Sequence, residues 1–245
     1  MNQPLPTLPK PLALHDGPAV SPFLRHKGLA LVLIGFGLSL FLSMWASYRR
    51  RVWFSLWDEP VLRYFKTYRL GTPEWLTTIV QFASNLGNMG LSLATMILLS
   101  YWLIKRQFRH FWLLFTSVAG VELLWLTVTF LLGRTRPREI RTVFSILLPG
   151  FPSGHVMTYI AFASTLLYLY ISHIKNQTLR ILIAAAALAW MFITGWIRLY
   201  FSSHYITDIL GGYGLGIAWT VSVLTSVDYY FFRTRPRELQ KSGKN

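Results

Sequence analysis

An all-α, polytopic membrane bundle of six transmembrane helices, with a short interfacial helix between the first two, is the fold this sequence predicts. Three observations predict it. Hydrophobic residues make up 53% of the 245 residues, and mean hydropathy is +0.41. Charged residues are only 13%, against about 25% in an ordinary soluble domain. The few charges fall between long charge-free runs, as they do in membrane proteins. Cys is absent, which excludes disulfides, thiolate catalysis and Cys-based metal sites. Formal net charge is +15. Because the basic residues sit mostly between apolar runs, anionic lipid headgroups are the expected partner and nucleic acid is not.

The first 27 residues are Pro-rich and irregular and end in Arg25-His26-Lys27. Gly28 to Tyr48 then runs uncharged for 21 residues. That is longer than a signal-peptide core and long enough to cross a bilayer, so it reads as an uncleaved first helix. Between Asp58 and Pro73, Arg63, Lys66 and Arg69 recur every third residue, while Val61, Leu62, Phe65 and Tyr68 are apolar or aromatic. This pattern suits an amphipathic helix lying at the interface. A second uncharged run, Trp75 to Ile104, covers 30 residues and exceeds one span. Its first part holds Gln81, Ser84, Asn85, Gly87 and Asn88; that part is expected to pack against the bundle or lie near the interface, with the span proper starting near Met89. The third span is expected at about Phe111 to Gly133, interrupted by Glu122. The fourth runs from Ser153 to about Ile174, the fifth from Ile181 to Ile197, and the sixth from about Ile209 to Phe232. Residues 28–232 form one six-span domain on this reading, followed by a basic tail over 233–245.

Three polar islands interrupt the apolar chain: Arg134-Thr-Arg136-Pro137, Pro152-Ser153-Gly154-His155, and Arg198 followed by His204 and Asp208. With six spans, the end of the third helix and the start of the fourth share a membrane face. The end of the fifth and the start of the sixth fall on that same face. Span counting alone therefore brings the islands to one side. The opposite face, with the termini, carries 13 of the 24 Lys and Arg residues. This slight excess predicts cytoplasmic termini and an outward-facing site, although Arg49, Arg50 and Arg51 oppose it. The expected location is a bacterial inner or plasma membrane.

Each island suits phosphate chemistry. Arg136 and Arg198 carry permanent, fork-shaped charges that hold phosphate oxygens in pairs, and Pro137 is expected to help end the third helix. Ser153 stands where a helix N-cap belongs, Gly154 lets backbone approach a ligand, and the free amides of a helix start make an anion site. His155 projects from that first turn as a candidate proton donor. His204 and Asp208 are four apart, on one helical face. A carboxylate on one imidazole nitrogen frees the other to attack. Glu122 is an acid inside the third span and is expected to make a structural hydrogen bond.

Together these residues resemble the type 2 phosphatidic acid phosphatase family, which shares its core with vanadium-dependent haloperoxidases. The family pattern is Lys-x6-Arg-Pro, Pro-Ser-Gly-His, then Ser-Arg-x5-His-x3-Asp. Arg136-Pro137, Pro152-Ser153-Gly154-His155 and Arg198-x5-His204-x3-Asp208 match it. The resemblance implies that His204 attacks phosphorus and forms a phosphohistidine, that Asp208 orients it, and that His155 protonates the leaving oxygen and then activates water. It implies that Arg136, Arg198, Ser153 and Gly154 stabilise the phosphoryl oxygens, with no metal or cofactor. Two positions depart from the pattern: Thr129 stands where the family has Lys, and Ile197 where it has Ser. Thr129 can donate one hydrogen bond, and Arg134 is expected to supply the missing phosphate-binding charge. A second copy of the first island, Arg233-Thr-Arg-Pro-Arg-Glu238, repeats Arg134 to Glu139 letter for letter; span counting puts it on the opposite face, as a basic tail.

The expected activity is hydrolysis of a lipid phosphomonoester or diphosphate. Phosphatidic acid, phosphatidylglycerol phosphate, undecaprenyl diphosphate and lipid A phosphates remain open as substrates, as does oligomeric state. The alternatives are phosphotransfer to another lipid and a non-catalytic lipid-phosphate binding or transport protein. Thr129 favours the latter; the presence of His155, His204 and Asp208 opposes it. Six apolar spans suit a lipid better than halide chemistry.

Overall fold

Helices account for almost all of the computed structural model, which describes residues 27–50, 54–137 and 149–233. The chain runs α1 (Lys27–Arg50), a π-helical turn (Phe54–Asp58), α2 (Glu59–Leu70), α3 (Glu74–Ile104), α4 (Phe108–Leu132), α5 (Gly154–Tyr170), a short 3-10 turn (Ile171–His173), α6 (Gln177–Tyr200) and α7 (Ile206–Arg233). Six of these, all but α2, are long and apolar enough to cross a bilayer. The protein is an integral membrane helical bundle.

Helix α7 is the centre. It packs along α1, α5 and α4, and α5 also packs on α4 and α6. Glycines make the tightest of these approaches possible. A Cβ on Gly37 of α1 would stand 2.5 Å from the Gly214 carbonyl of α7, and one on Gly214 would meet the Gly37 carbonyl at the same distance. Small residues let two membrane helices close to backbone contact, where van der Waals packing is strongest. Inside, Leu113, Leu114, Trp102, Leu169 and Leu224 form one buried cluster, and Val121, Met157, Ala161 and Leu215 another. The apolar side chains of α1 and α3 that remain exposed, among them Leu31, Val32, Phe82 and Met96, face outward as lipid-facing helices require.

Two expectations are met with added detail and one needs correction. The polar run Gln81 to Asn88 packs toward the bundle, one of the two expected placements, but no separate span starts near Met89: α3 is one continuous helix of 31 residues, about 46 Å long at 1.5 Å per residue. Its polar side chains are accommodated because they face a cavity rather than lipid. The short helix expected between the first two spans is present at Glu59–Leu70, and its aromatic side also packs on α6. Phe65 packs edge-on against Trp196 at 6.2 Å, and Tyr68 against Tyr200 at 6.2 Å. Pro137 does not end α4. Gly133 does, in the left-handed conformation at φ 61°, with its N–H donating to the Thr129 carbonyl, a geometry suited to glycine. The N-terminal segment before Lys27 and the tail after Arg233, including most of the second Arg-Thr-Arg-Pro copy, lie outside the described residues.

Candidate active site

The ends of α4 and α6 and the starts of α5 and α7 meet at one end of the bundle. A cavity of about 580 Å³ opens there, lined by Arg136, Gly154, His155 and Arg198 from the three islands. Glu122, Trp125 and Thr158 line it as well, and α3 contributes Gln81, Ser84, Asn85, Asn88 and Ser92. Those α3 residues follow the helical repeat and put one polar stripe on the cavity.

His204 is buried and is not on the cavity wall; it stands behind Arg136, which is. Its Nδ1 lies 2.9 Å from the Gly150 carbonyl and 3.5 Å from Asp208 Oδ2, and its Nε2 lies 3.3 Å from Arg136 Nη1. A carbonyl only accepts and a guanidinium only donates. Nδ1 therefore carries the proton, and Nε2 presents its lone pair toward Arg136. Burial holds the His204 imidazole below its usual pKa; the Arg136 and Arg198 charges add to this and Asp208 opposes it. The neutral, nucleophilic form is the one this setting favours. The orienting acceptor nearest to Nδ1 is thus the Gly150 backbone, with Asp208 second, a partner sequence reasoning did not name.

Asp208 has further partners. Oδ2 accepts from the Tyr205 N–H at 2.9 Å and Oδ1 from Arg134 Nη1 at 2.7 Å. Its carbonyl accepts the Ser153 N–H at 3.0 Å, which ties the start of α7 to the start of α5. Ser153 occupies the N-cap position but its hydroxyl does not cap the helix. That hydroxyl is buried without a hydrogen-bond partner, and Ser153 is absent from the cavity wall. Of the expected pair, Gly154 reaches the cavity. A Cβ there would stand 2.7 Å from the Trp125 ring, whose Nε1 donates to the Pro152 carbonyl at 3.1 Å. The close approach leaves the first-turn amides of α5, which have no intrahelical acceptors, next to the cavity.

Arg198 is held from α3. Its Nη2 donates to Ser84 Oγ at 2.9 Å and to Asn88 Oδ1 at 3.5 Å, while its Nε is buried without a partner. Glu122 accepts from the Thr158 hydroxyl, the structural bond expected of it, and it also borders the cavity.

Arg134 and Thr129 are not phosphate ligands in this geometry. Arg134 is only 2% exposed and points away from the cavity. Nη1 donates to Thr207 Oγ1 at 2.6 Å as well as to Asp208, and Nη2 donates to Asp58 Oδ2 at 2.5 Å. The guanidinium lies over the Tyr48 and Tyr205 rings, 4.7 and 4.5 Å from their centroids. Two carboxylates and two aromatic faces saturate it, so it does not replace the missing Lys. Thr129 is fully buried, and its hydroxyl donates to the Pro149 carbonyl at 3.2 Å. The backbone at Pro149 and Gly150 accepts that bond, donates from Gly150 N–H to the Arg134 carbonyl at 2.5 Å and holds His204. Asp58 and Thr207 are site neighbours that the sequence did not single out. Burial pushes Asp58 above the usual carboxylate range, against the pull of Arg134.

The three motifs thus stand around one cavity. The model of the PAP2 superfamily matches residues 110–232. The chain belongs to the PAP2 superfamily. A solved structure similar to it is the transmembrane PAP2-type phosphatidylglycerolphosphate phosphatase from Bacillus subtilis, with a TM-score of 0.63 and 21% identity over 82% of this chain and 99% of that one. That likeness establishes a shared transmembrane PAP2 fold. A comparison with curated proteins finds no match. The PAP2 match spans α4 to α7 and so contains every island residue, while Asp58 and the α3 stripe lie before it.

Proposed function

We propose that this PAP2 protein is a membrane lipid phosphatase that works through a phosphohistidine on His204. The observation that carries the reading is the pairing of two cavities. The polar cavity shares Leu91 and Tyr159 with a second one of about 550 Å³, lined almost wholly by apolar side chains of α3, α5 and α6 such as Leu86, Phe162, Leu166, Ile183 and Trp190. A phosphate headgroup suits the first and a hydrocarbon chain suits the second, as cavity and ligand polarity must match.

In the first step the Nε2 lone pair of His204 forms an N–P bond. The P–O bond to the leaving group breaks, and His155 donates a proton to the departing oxygen. Water then attacks phosphorus and gives a proton to His155; the N–P bond breaks, its electron pair returns to Nε2, and phosphate leaves. Arg136, Arg198 and the first-turn amides of α5 stabilise the phosphoryl oxygens as charge builds on them. The otherwise unsatisfied Arg198 Nε–H supports this role. Asp208 and the Gly150 carbonyl hold Nδ1–H while the ring becomes positive. The substrate is a lipid phosphomonoester or diphosphate, and the excess of basic residues on the other face supports cytoplasmic termini with the site facing outward.

The decisive experiment is phosphate release by detergent-purified protein over a panel of phosphatidic acid, phosphatidylglycerol phosphate and polyprenyl diphosphate, with vanadate as inhibitor. Release with an acid-labile phosphoryl adduct, lost in His204→Ala, is expected. Binding without release across the panel would establish the non-catalytic alternative. Capture of the phosphoryl group by added alcohol in preference to water would establish a phosphotransferase.

A further inference from the structure

Asp58 sits at the end of the π-helical turn, far in sequence from every motif, yet it is 1% exposed and reaches the innermost polar cluster. Its Oδ1 accepts from the Thr207 N–H at 3.1 Å and the Thr207 hydroxyl at 2.9 Å, and its Oδ2 accepts from Arg134 at 2.5 Å. Arg134 in turn bonds Asp208, whose other oxygen faces His204. Three charges therefore stand in a row behind the imidazole, in the order Asp58, Arg134, Asp208. None is more than 2% exposed. A buried arginine paired with Asp208 alone would cancel the carboxylate charge that His204 needs as its ring becomes positive. The second carboxylate offsets the arginine and leaves the row with one net negative charge.

We propose that Asp58, acting through Arg134, is a positioning residue for the His204–Asp208 pair: it anchors the guanidinium fork and offsets its charge, so that Asp208 continues to act on His204 as an anion. This rests on the phosphohistidine reading. Neither residue borders the substrate cavity, so both act on turnover and not on substrate binding. Arginine at position 134 holds both carboxylates at once through its planar fork, which a lysine ammonium cannot reproduce.

The test is a charge-swap series in detergent-purified full-length protein, using wild type, Asp58→Asn, Arg134→Gln and the double variant. Each is followed by melting temperature, kcat, KM and the pH dependence of kcat/KM. The groups facing His204 are Arg136 from the segment after α4, His155 from α5, Arg198 from α6 and Asp208 from α7; all stay unchanged. Asp58→Asn removes one negative charge behind Asp208. It is expected to lower kcat about tenfold or more, leave KM within about threefold, and move the acid limb to lower pH by about one unit. Arg134→Gln is expected to lower kcat with KM likewise kept. The double variant restores the net charge of the row, so its acid limb returns toward wild type although two bonds are missing, a non-additivity that a purely structural role does not produce. An unchanged acid limb in Asp58→Asn overturns the inference. So does a rise in KM without loss of kcat in Arg134→Gln, which would make Arg134 a direct phosphate ligand. If Asp58→Asn does not fold, Asp58→Glu decides. Wild-type pH dependence in a folded Glu variant supports the inference, and a shifted limb there overturns it. Failure of wild type to release phosphate would sink the functional reading itself, a separate outcome.

Discussion

Arginine meets aspartate at both ends of the bundle, with opposite results. At one end Arg109, near the start of α4, donates to Asp228 of α7 at 2.8 Å, and the Tyr168 hydroxyl of α5 bonds the same carboxylate. The cluster joins three helices. At the other end Arg134, just after α4, donates to Asp208 of α7, and the chain of contacts continues to His204 and the cavity. The pair chemistry is the same. What separates a brace from a site is the third partner: a tyrosine at one end, an imidazole next to a cavity-lining arginine at the other.

The comparison breaks most sharply at His204. His204→Ala is expected to cost at least about 10⁴-fold in phosphate release with the melting temperature held, since removing a nucleophile abolishes a concerted constellation. Activity within tenfold of wild type would place the nucleophile elsewhere. Arg198→Ala follows, at about 10²-fold to 10³-fold in kcat/KM, measured on the same lipid panel.

Asp228→Ala tests the other end. It leaves Arg109, whose side chain is 12% exposed, beside α7 without its carboxylate, so a loss of about 2 to 3 kcal/mol in stability is expected, read by thermal unfolding. Turnover per folded molecule should stay near wild type; a selective loss of kcat would join the two ends functionally. The acid limb of wild-type kcat/KM is expected below about pH 6.5, because burial depresses His204 and the neutral form needed for attack persists as pH falls. A limb well above that value would show that the imidazole is stabilised as a cation. Thr129→Val should have the smallest effect, about 1 kcal/mol for its bond to Pro149, with turnover within threefold. A large rise in KM would restore Thr129 as a phosphate ligand.

Much of this arrangement was legible in the sequence because bilayers impose length and charge-free composition. The six spans and the meeting of Arg136, Gly154, His155, Arg198 and His204 at one end follow from that constraint. The start of α3 was left between two placements because amide and hydroxyl side chains in an apolar run fit either the interface or an internal cavity. Their recurrence at Gln81, Asn85, Asn88 and Ser92 carries the distinction, since one helical stripe needs one polar neighbour. Arg134 was misread. Its charge was visible but its partners were not: Asp58 lies 76 residues away, and no local spacing links them. Thr129 looked like a lost ligand because the motif defines the position by a side chain that is not there.

The crossing of Gly37 with Gly214 reaches beyond packing. Helix α7 begins with the residues that carry Asp208, and α1 fixes the height and tilt at which that helix stands. A single added methyl at either glycine would wedge two backbones apart and tip the carboxylate that stands nearby at the start of α7. A search for inactivating variants should therefore find hits at this helix crossing, at residues with no chemistry of their own.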